Sequence, residues 1–396
     1  MCHSNFPPWP SYTDEEILAV QRVLSSNRVN YWTGNEGRSF EREFAEFTGC
    51  NHAIAVCNGT AALELSLKGI GLEPGQEVIV PARSFVATAS SVVAAGGIPV
   101  FADVDEDSQG LTAGTVRALI TPRTKAVIAV HLAGWPCEMD ALLELSRDHG
   151  LFLIEDCAQA HGAKYRGRHV GTLGHIGCWS FCQDKILTTG GEGGMVTTND
   201  AELWSRMWAY KDHGKAWAKT RVLASGPGFR WLHDSFGTNW RMTEMQAAIG
   251  RIQLRRLDTW TDSRRSNARQ ILAAANGCPA LRVPLSPPHI EHAAYKCYVF
   301  VEGNLLSPGW NRDRIMTEIA SLGVPCSSGS CSEVYLEAAF RHTGWGPRRR
   351  LPVARKLGAT SLMFLCHPTL TQADVDHTCL VIRNVMHRAA GRGTTG

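Results

Sequence analysis

Between residues 52 and 198 the chain alternates short apolar runs with segments of helical spacing, and few folds accept that order. The runs are 52–56, 77–80, 98–104, 125–132, 151–157, 176–181 and 194–198. Most are apolar at successive positions rather than at every second one, so both of their faces are buried. Strands of that kind belong to a mainly parallel sheet covered by helices on each side. The segments between them supply the helices, at 60–69, 84–96, 112–119 and 139–150, after two earlier ones at 14–29 and 36–48. The fold class is therefore α/β. Ligands in such sheets sit at the carboxyl ends of strands, beside helix N-termini. Three places meet that rule: Asn58-Gly59-Thr60, the end of the run LFLIEDC, and the turn holding Lys185.

After about residue 240 the character changes. Residues 242–258 predict a long amphipathic helix that continues toward 276. Segments 295–303, 312–322 and 351–385 then suggest a smaller α+β unit. The expected division is 1–250 for the large domain and 251–396 for the small one.

A net charge of +3 gives no reason to expect nucleic acid or an anionic membrane as partner. No stretch reaches 18 consecutive apolar residues, and residues 1–12 lack the apolar segment of a signal peptide. A cytoplasmic enzyme is the expectation. The 13 cysteines are odd in number and scattered, as at Cys137, Cys157, Cys178 and Cys182. Cys326 and Cys331 have no second pair and no histidine cluster beside them. Free thiols, with no structural metal, are expected. The basic run Arg348-Arg349-Arg350 is flanked by Gly and Pro and is expected in a solvated loop.

Lys185 lies in SFCQDKILTTGGEGGMVTTND, after a strand and before a glycine-rich turn. A lysine that forms a Schiff base must be held against a cofactor ring, and such a place suits it. A lone lysine would ordinarily be an exposed loop residue, but that leaves Ser180 and the glycines without a purpose. Asp156 ends an otherwise apolar strand, so its carboxylate faces a site or a buried partner. Pyridoxal phosphate wants an anion beside its pyridine nitrogen, because a protonated ring is the better electron sink. A cap for the following segment is the plainer role for this acid. Gln159 could reach the ring hydroxyl, whereas Glu155 points the other way and is structural. Gly59, Thr60 and Ala61 open a helix, where free N–H groups make a phosphate seat. Thr60 could equally be a plain N-cap. Ser180 could add its hydroxyl to that seat. Phe85 could stack on a planar cofactor; on its own it suggests a core residue. The turn GGEGG at 190–194 lacks the GxxxxGK[ST] order of a nucleotide loop, and its glycines are expected to let backbone pass close to the cofactor.

These residues, with FEREFAEFTG, HLAGWPCEMDAL, IEDCAQAHGA, GTNWRMTEMQAAIG and the late HPTLT, resemble the DegT/StrS-type sugar aminotransferases. The resemblance runs over about residues 8–385. It implies the fold-type I architecture of pyridoxal-phosphate enzymes, with a seven-stranded sheet. It implies Lys185 as the Schiff-base lysine, Asp156 at the pyridine nitrogen and Gln159 at the phenolic side. Thr60, Ala61 and Ser180 become phosphate ligands, and Phe85 lies on the ring face. By the same likeness Asn239 reaches the phosphate of a partner subunit's site, and Arg241 meets substrate anions there. A homodimer with two shared active sites follows from that. Relatives that dehydrate sugars have histidine in place of the lysine, which Lys185 argues against here. Many relatives read TTGEGG where this chain has TTGGEGG, one glycine more.

The implied reaction is a ping-pong transamination. L-Glutamate gives its amino group to the cofactor, and a nucleotide-linked keto sugar then takes it. The TTG-containing turn suggests a 4-keto-6-deoxyhexose; the alternatives are a 3-keto sugar nucleotide, a keto-cyclitol, or a non-catalytic homologue of the same fold.

Overall fold

The computed structural model describes residues 6–222 and 230–390, so the first five residues of the amino-terminal stretch discussed above lie outside the described residues. Seven strands form the large sheet: β1 (His52–Val56), β2 (Glu77–Pro81), β3 (Ile98–Ala102), β4 (Thr124–Val130), β5 (Phe152–Asp156), β6 (Ile176–Ser180) and β7 (Gly194–Thr198). Their order is β1-β7-β6-β5-β4-β2-β3. Only β7 runs against its neighbours, pairing antiparallel with β1 and β6. The sheet is therefore mainly parallel, as the apolar runs require. Ile54, Val80, Ile128, Ile154 and Val196 are fully buried in one core cluster. Each such side chain contributes about 1.5–3 kcal/mol over its exposed state.

Register decides which residues reach the rim. Val130 pairs with Asp156, so the ends of β4 and β5 stand level, and Asp156 pairs with Cys178, two residues before the end of β6. Side chains alternate along a strand, so Glu155 must face away from Asp156. It does, and it is fully buried. Its carboxylate accepts from the N–H groups of Gly171 at 2.8 Å, Leu173 at 2.9 Å and Gly174 at 2.7 Å. His131 Nε2 donates to it at 3.0 Å, because His131 Nδ1 already accepts from the Cys137 N–H. Cys157 completes a group whose ligand atoms lie within 4.8 Å of one another. With His131 and Glu155 committed to these bonds, the group locks the 171–174 turn and offers no open metal seat.

Three helices pack on this frame near the rim: α1 (Glu36–Thr48), α2 (Gly59–Gly69) and α3 (Ala87–Ala94). The predicted 84–96 helix begins at Ala87 because residues 84–86 turn into the rim. The long helix α4 (Glu244–Asn276) has 33 residues, about 50 Å at 1.5 Å per residue. Thr243 starts it with a capping box to Gln246. It runs unbroken across residue 250, so the two units share it instead of meeting at a linker. Beyond it, β8 (Leu281–Arg282), β9 (Cys297–Val301), β10 (Cys326–Ser327) and β11 (Ser361–Phe364) make an antiparallel sheet in the order β8-β9-β11-β10. Arg83, fully buried, bridges the units: it donates to Gln109 on one side and to Ser332 and Ser361 on the other. The twelve described cysteines are all free, and eight of them are buried. Arg350 of the basic run is half exposed and pairs with Glu333.

Candidate active site

The three suspected places meet in one cleft of about 620 Å³, floored by the large sheet and roofed by the small unit. Gly59, Thr60, Phe85, Asp156, Gln159, Ser180 and Lys185 all line it. A second cleft of about 500 Å³ lies between α4 and the 283–292 loop, but it holds neither Asp156 nor Lys185.

Asp156 is almost wholly buried at the end of β5. Its Oδ2 accepts from Thr88 Oγ1 at 2.9 Å, and its Oδ1 from the Ala158 N–H at 3.1 Å. The Ala158 bond is a local turn, so the capping role and the site role coexist. Burial pushes the Asp156 carboxyl above its ordinary range, and the Ala158, Thr88 and Lys185 contributions pull against that. A buried acid held this way lacks a cation of its own. Thr88 itself accepts or donates to Ser84 at 2.8 Å. Thr88 carries no local signal of this role: a threonine in a helix of small residues looks like packing.

The phosphate seat differs in one detail from expectation. Asn58, not Thr60, is the N-cap of α2, and its Oδ1 takes the Ala61 N–H at 2.8 Å. Ala61 is buried and does not border the cleft. The Gly59 and Thr60 N–H groups are left without helical partners, and the Thr60 side chain stays exposed. Ser180 stands beside them at the end of β6. A Cβ on Gly59 would fall 2.6 Å from Ser180 Cβ. Only glycine lets the helix start come this close. Gly59→Ala is therefore expected to lower affinity for pyridoxal phosphate about tenfold or more while the chain still folds, as read by titration of the cofactor's visible band. Of the glycines in the 190–194 segment, Gly194 serves a protein contact at the cleft: a Cβ there would fall 2.4 Å from the Asn58 carbonyl oxygen. Gly194 thus lets the start of α2 sit directly against β7.

Phe85 is 66% exposed, so it is no core residue; it projects over the cleft with its ring unburied. Gln159 Oε1 is held by the Ala133 N–H at 2.8 Å, which leaves its amide nitrogen for the cleft. Ala133 has φ of 57°, a left-handed turn that aims this N–H.

Lys185 is not at the strand end but five residues past it, in a turn. Its side chain is 16% exposed. Its carbonyl accepts from the Trp9 indole at 2.8 Å, so the amino-terminal segment clamps the lysine's backbone. Its Nζ lies 3.8 Å from Asp184 Oδ1 and 5.3 Å from the Tyr295 ring centroid. Tyr295 donates its hydroxyl to Asp184 Oδ2. Burial raises the Asp184 carboxyl, but the Lys185 charge and the Tyr295 hydroxyl outweigh it, so the acid ends below its ordinary range. Behind the turn, His161 packs against Trp179 and Phe181. Burial, then the Lys185 and Arg264 charges, depress it to about 3, so it stays neutral. Tyr295, Lys296, Tyr298 and Ser330 bring the small unit into the cleft. Sequence reasoning missed all four, since nothing local in YKCYVF, or in CSSGSCSE around Ser330, marks which side chains turn inward.

Asn239 and Arg241 are not brought to the cleft of their own chain. Asn239 is exposed. Arg241 pairs with the fully buried Asp212 at 2.7 Å.

Pyridoxal phosphate has three handles, and the cleft has a group for each. A helix start with two open N–H groups suits its phosphate, a buried acid its ring nitrogen, and a lysine its aldehyde carbon. Comparison with known proteins agrees. Residues 10–383 match the DegT/DnrJ/EryC1/StrS aminotransferase family. A solved aminotransferase from Psychrobacter cryohalolentis is 55% identical, with a TM-score of 0.96, over 98% of this chain and 100% of that one. The UDP-N-acetyl-3-dehydro-alpha-D-glucosamine 3-aminotransferase of Acidithiobacillus ferrooxidans is 34% identical over 374 residues, 94% of each chain. GDP-perosamine synthase of Caulobacter vibrioides is 36% identical over 362 residues, covering 90% of this chain and 92% of that one. The chain belongs to the DegT/DnrJ/EryC1/StrS aminotransferase family and is a pyridoxal-phosphate-dependent sugar aminotransferase.

Proposed function

We propose that this enzyme moves an amino group from L-glutamate to a nucleotide-linked 4-keto-6-deoxyhexose. The observation that carries the site assignment is the meeting of Lys185, Asp156 and the open α2 N-terminus in one cleft. Bound there, the cofactor supplies an electron sink for the carbon that loses and later regains a proton. Lys185 would hold the cofactor, and once displaced by the donor's nitrogen its Nζ moves that proton. Asp156 keeps the ring nitrogen protonated, with Thr88 holding the carboxylate in place. Gly59, Thr60 and Ser180 take the phosphate, with Ala61 supporting them from inside the helix. Phe85 covers one face of the ring and excludes water from it, and Gln159 holds the phenolic side.

The nucleotide-linked acceptor rests on relatives named for UDP- and GDP-linked sugars. The choice of C4 rests on the turn after Lys185. A 3-keto sugar is the second reading, favoured by the relative named as a 3-aminotransferase. The expected result is stoichiometric 2-oxoglutarate and a 4-amino sugar when purified enzyme meets L-glutamate and a panel of UDP-, GDP- and dTDP-linked 3- and 4-keto sugars. Turnover of 3-keto sugars alone would move the assignment to C3, and turnover of a free keto-cyclitol alone would remove the nucleotide.

A homodimer completes the proposal. Asn239 is exposed away from its own cleft, and Phe236 beside it is 100% exposed. In a pair of chains Asn239 reaches the phosphate of the partner's site. Arg241 meets substrate anions there, with Asp212 sharing its guanidinium. Among the described residues no helix is long and apolar enough to cross a membrane. A cytoplasmic setting suits twelve unpaired thiols.

A further inference from the structure

Lys296 is a second lysine in the cleft. It stands on β9's approach, next to Tyr295, and lines the same space as Lys185. Both ammonium groups share the Tyr295 ring, Lys185 at 5.3 Å from its centroid and Lys296 at 4.9 Å. Lys296 is partly buried, yet among the described residues neither a hydrogen bond nor an ion pair reaches it. The acid whose charge it feels is Asp184. That acid is already engaged by Tyr295 and Lys185.

The surroundings are short of negative charge. Arg264, wholly buried behind Tyr295, has its Nε and one Nη without hydrogen-bond partners among the described residues. Three cations therefore gather around one carboxylate. Burial, opposed by Asp184, holds the Lys296 ammonium below its ordinary range, and Arg264 and Lys185 add to that. A cation in such a place is costly until an anion joins it.

We propose that Lys296 is the docking point for a carboxylate of the amino donor. This rests on the transaminase reading above. The donor is the reactant that suits the place. Its carboxylates stand within a few bonds of the carbon that must meet Lys185. A keto sugar nucleotide carries its charge on the diphosphate, with the sugar ring between that charge and the reacting carbon. A carboxylate at Lys296 forms a charge-assisted bond and closes the imbalance left by Arg264.

The two halves of a ping-pong reaction allow a direct test. K296Q and K296M are prepared beside K296R, each loaded with pyridoxal phosphate. Binding of glutarate, an unreactive dicarboxylate, is measured by calorimetry. KM values for L-glutamate and for the keto sugar are measured separately. The expected result is a loss of about tenfold or more in glutarate affinity and an equal rise in the glutamate KM for K296Q and K296M. K296R keeps most of the binding, and the keto-sugar KM stays within about twofold. A rise in the keto-sugar KM with glutarate binding unchanged would overturn the proposal, and so would unchanged values for both. A retained visible cofactor band in all three variants excludes misfolding as the cause. If the wild-type enzyme turned over no keto sugar at all, the transaminase reading would fail, whereas glutarate binding would still report on Lys296.

Discussion

Lys185→Ala is expected to cut turnover by about 10⁴-fold or more, the scale seen when the group that carries the chemistry is removed. The lysine does two jobs that no neighbour can take over. It would hold the cofactor, and its Nζ moves the proton once freed. Lys296 shares the Tyr295 ring but sits on another element, in the small unit. His161 is neutral and packed between aromatic rings behind the turn. The variant should still fold, because the turn is held by backbone: the Lys185 carbonyl to Trp9, and the Lys185 N–H to Cys182. The check is steady-state transamination together with a cofactor titration. Residual activity within about tenfold of wild type would remove Lys185 from the mechanism.

How much of this was legible in the sequence follows from what each signal depends on. The seven strands were readable because a buried parallel strand has to be apolar at consecutive positions, and that pattern is local. Strand limits moved by only a few residues, as where β3 ends at Ala102. Asp156 and Ser180 were readable as polar ends on apolar strands. Phe85 was readable only through family likeness; its exposure is a property of the turn at 84–86. Ala61 was placed by the same likeness, yet its N–H is spent on Asn58. The hidden part is what two distant segments build together. Thr88 meets Asp156 across 68 residues, Arg83 meets Ser361 across 278, and Trp9 meets Lys185 across 176. No spacing rule in one chain reveals such pairs.

Asp156→Asn is the second large effect expected, a loss of about 10²–10³-fold in kcat, on the scale of a preorganised electrostatic group removed from an active site. The substitution keeps the shape. An asparagine oxygen can still take the Ala158 N–H, and its amide can donate to Thr88, whose hydroxyl turns to accept. What disappears is the anion that keeps the ring nitrogen protonated. The cofactor-free protein should be no less stable, because a buried carboxylate without a cation is costly. Activity and stability therefore move apart, and thermal unfolding of cofactor-free protein beside kcat checks both. A variant that loses stability in step with activity would make Asp156 a structural acid only.

The measurement closest to the central claim is the absorbance spectrum of the purified protein with pyridoxal phosphate, before and after L-glutamate. Wild type is expected to show a visible band that Lys185→Ala lacks, and that band should fade when glutamate is added and return with a keto sugar. A protein that forms no visible band, or one whose band glutamate leaves untouched while the lysine variant behaves the same, would contradict the assignment of Lys185 and of the cleft around it.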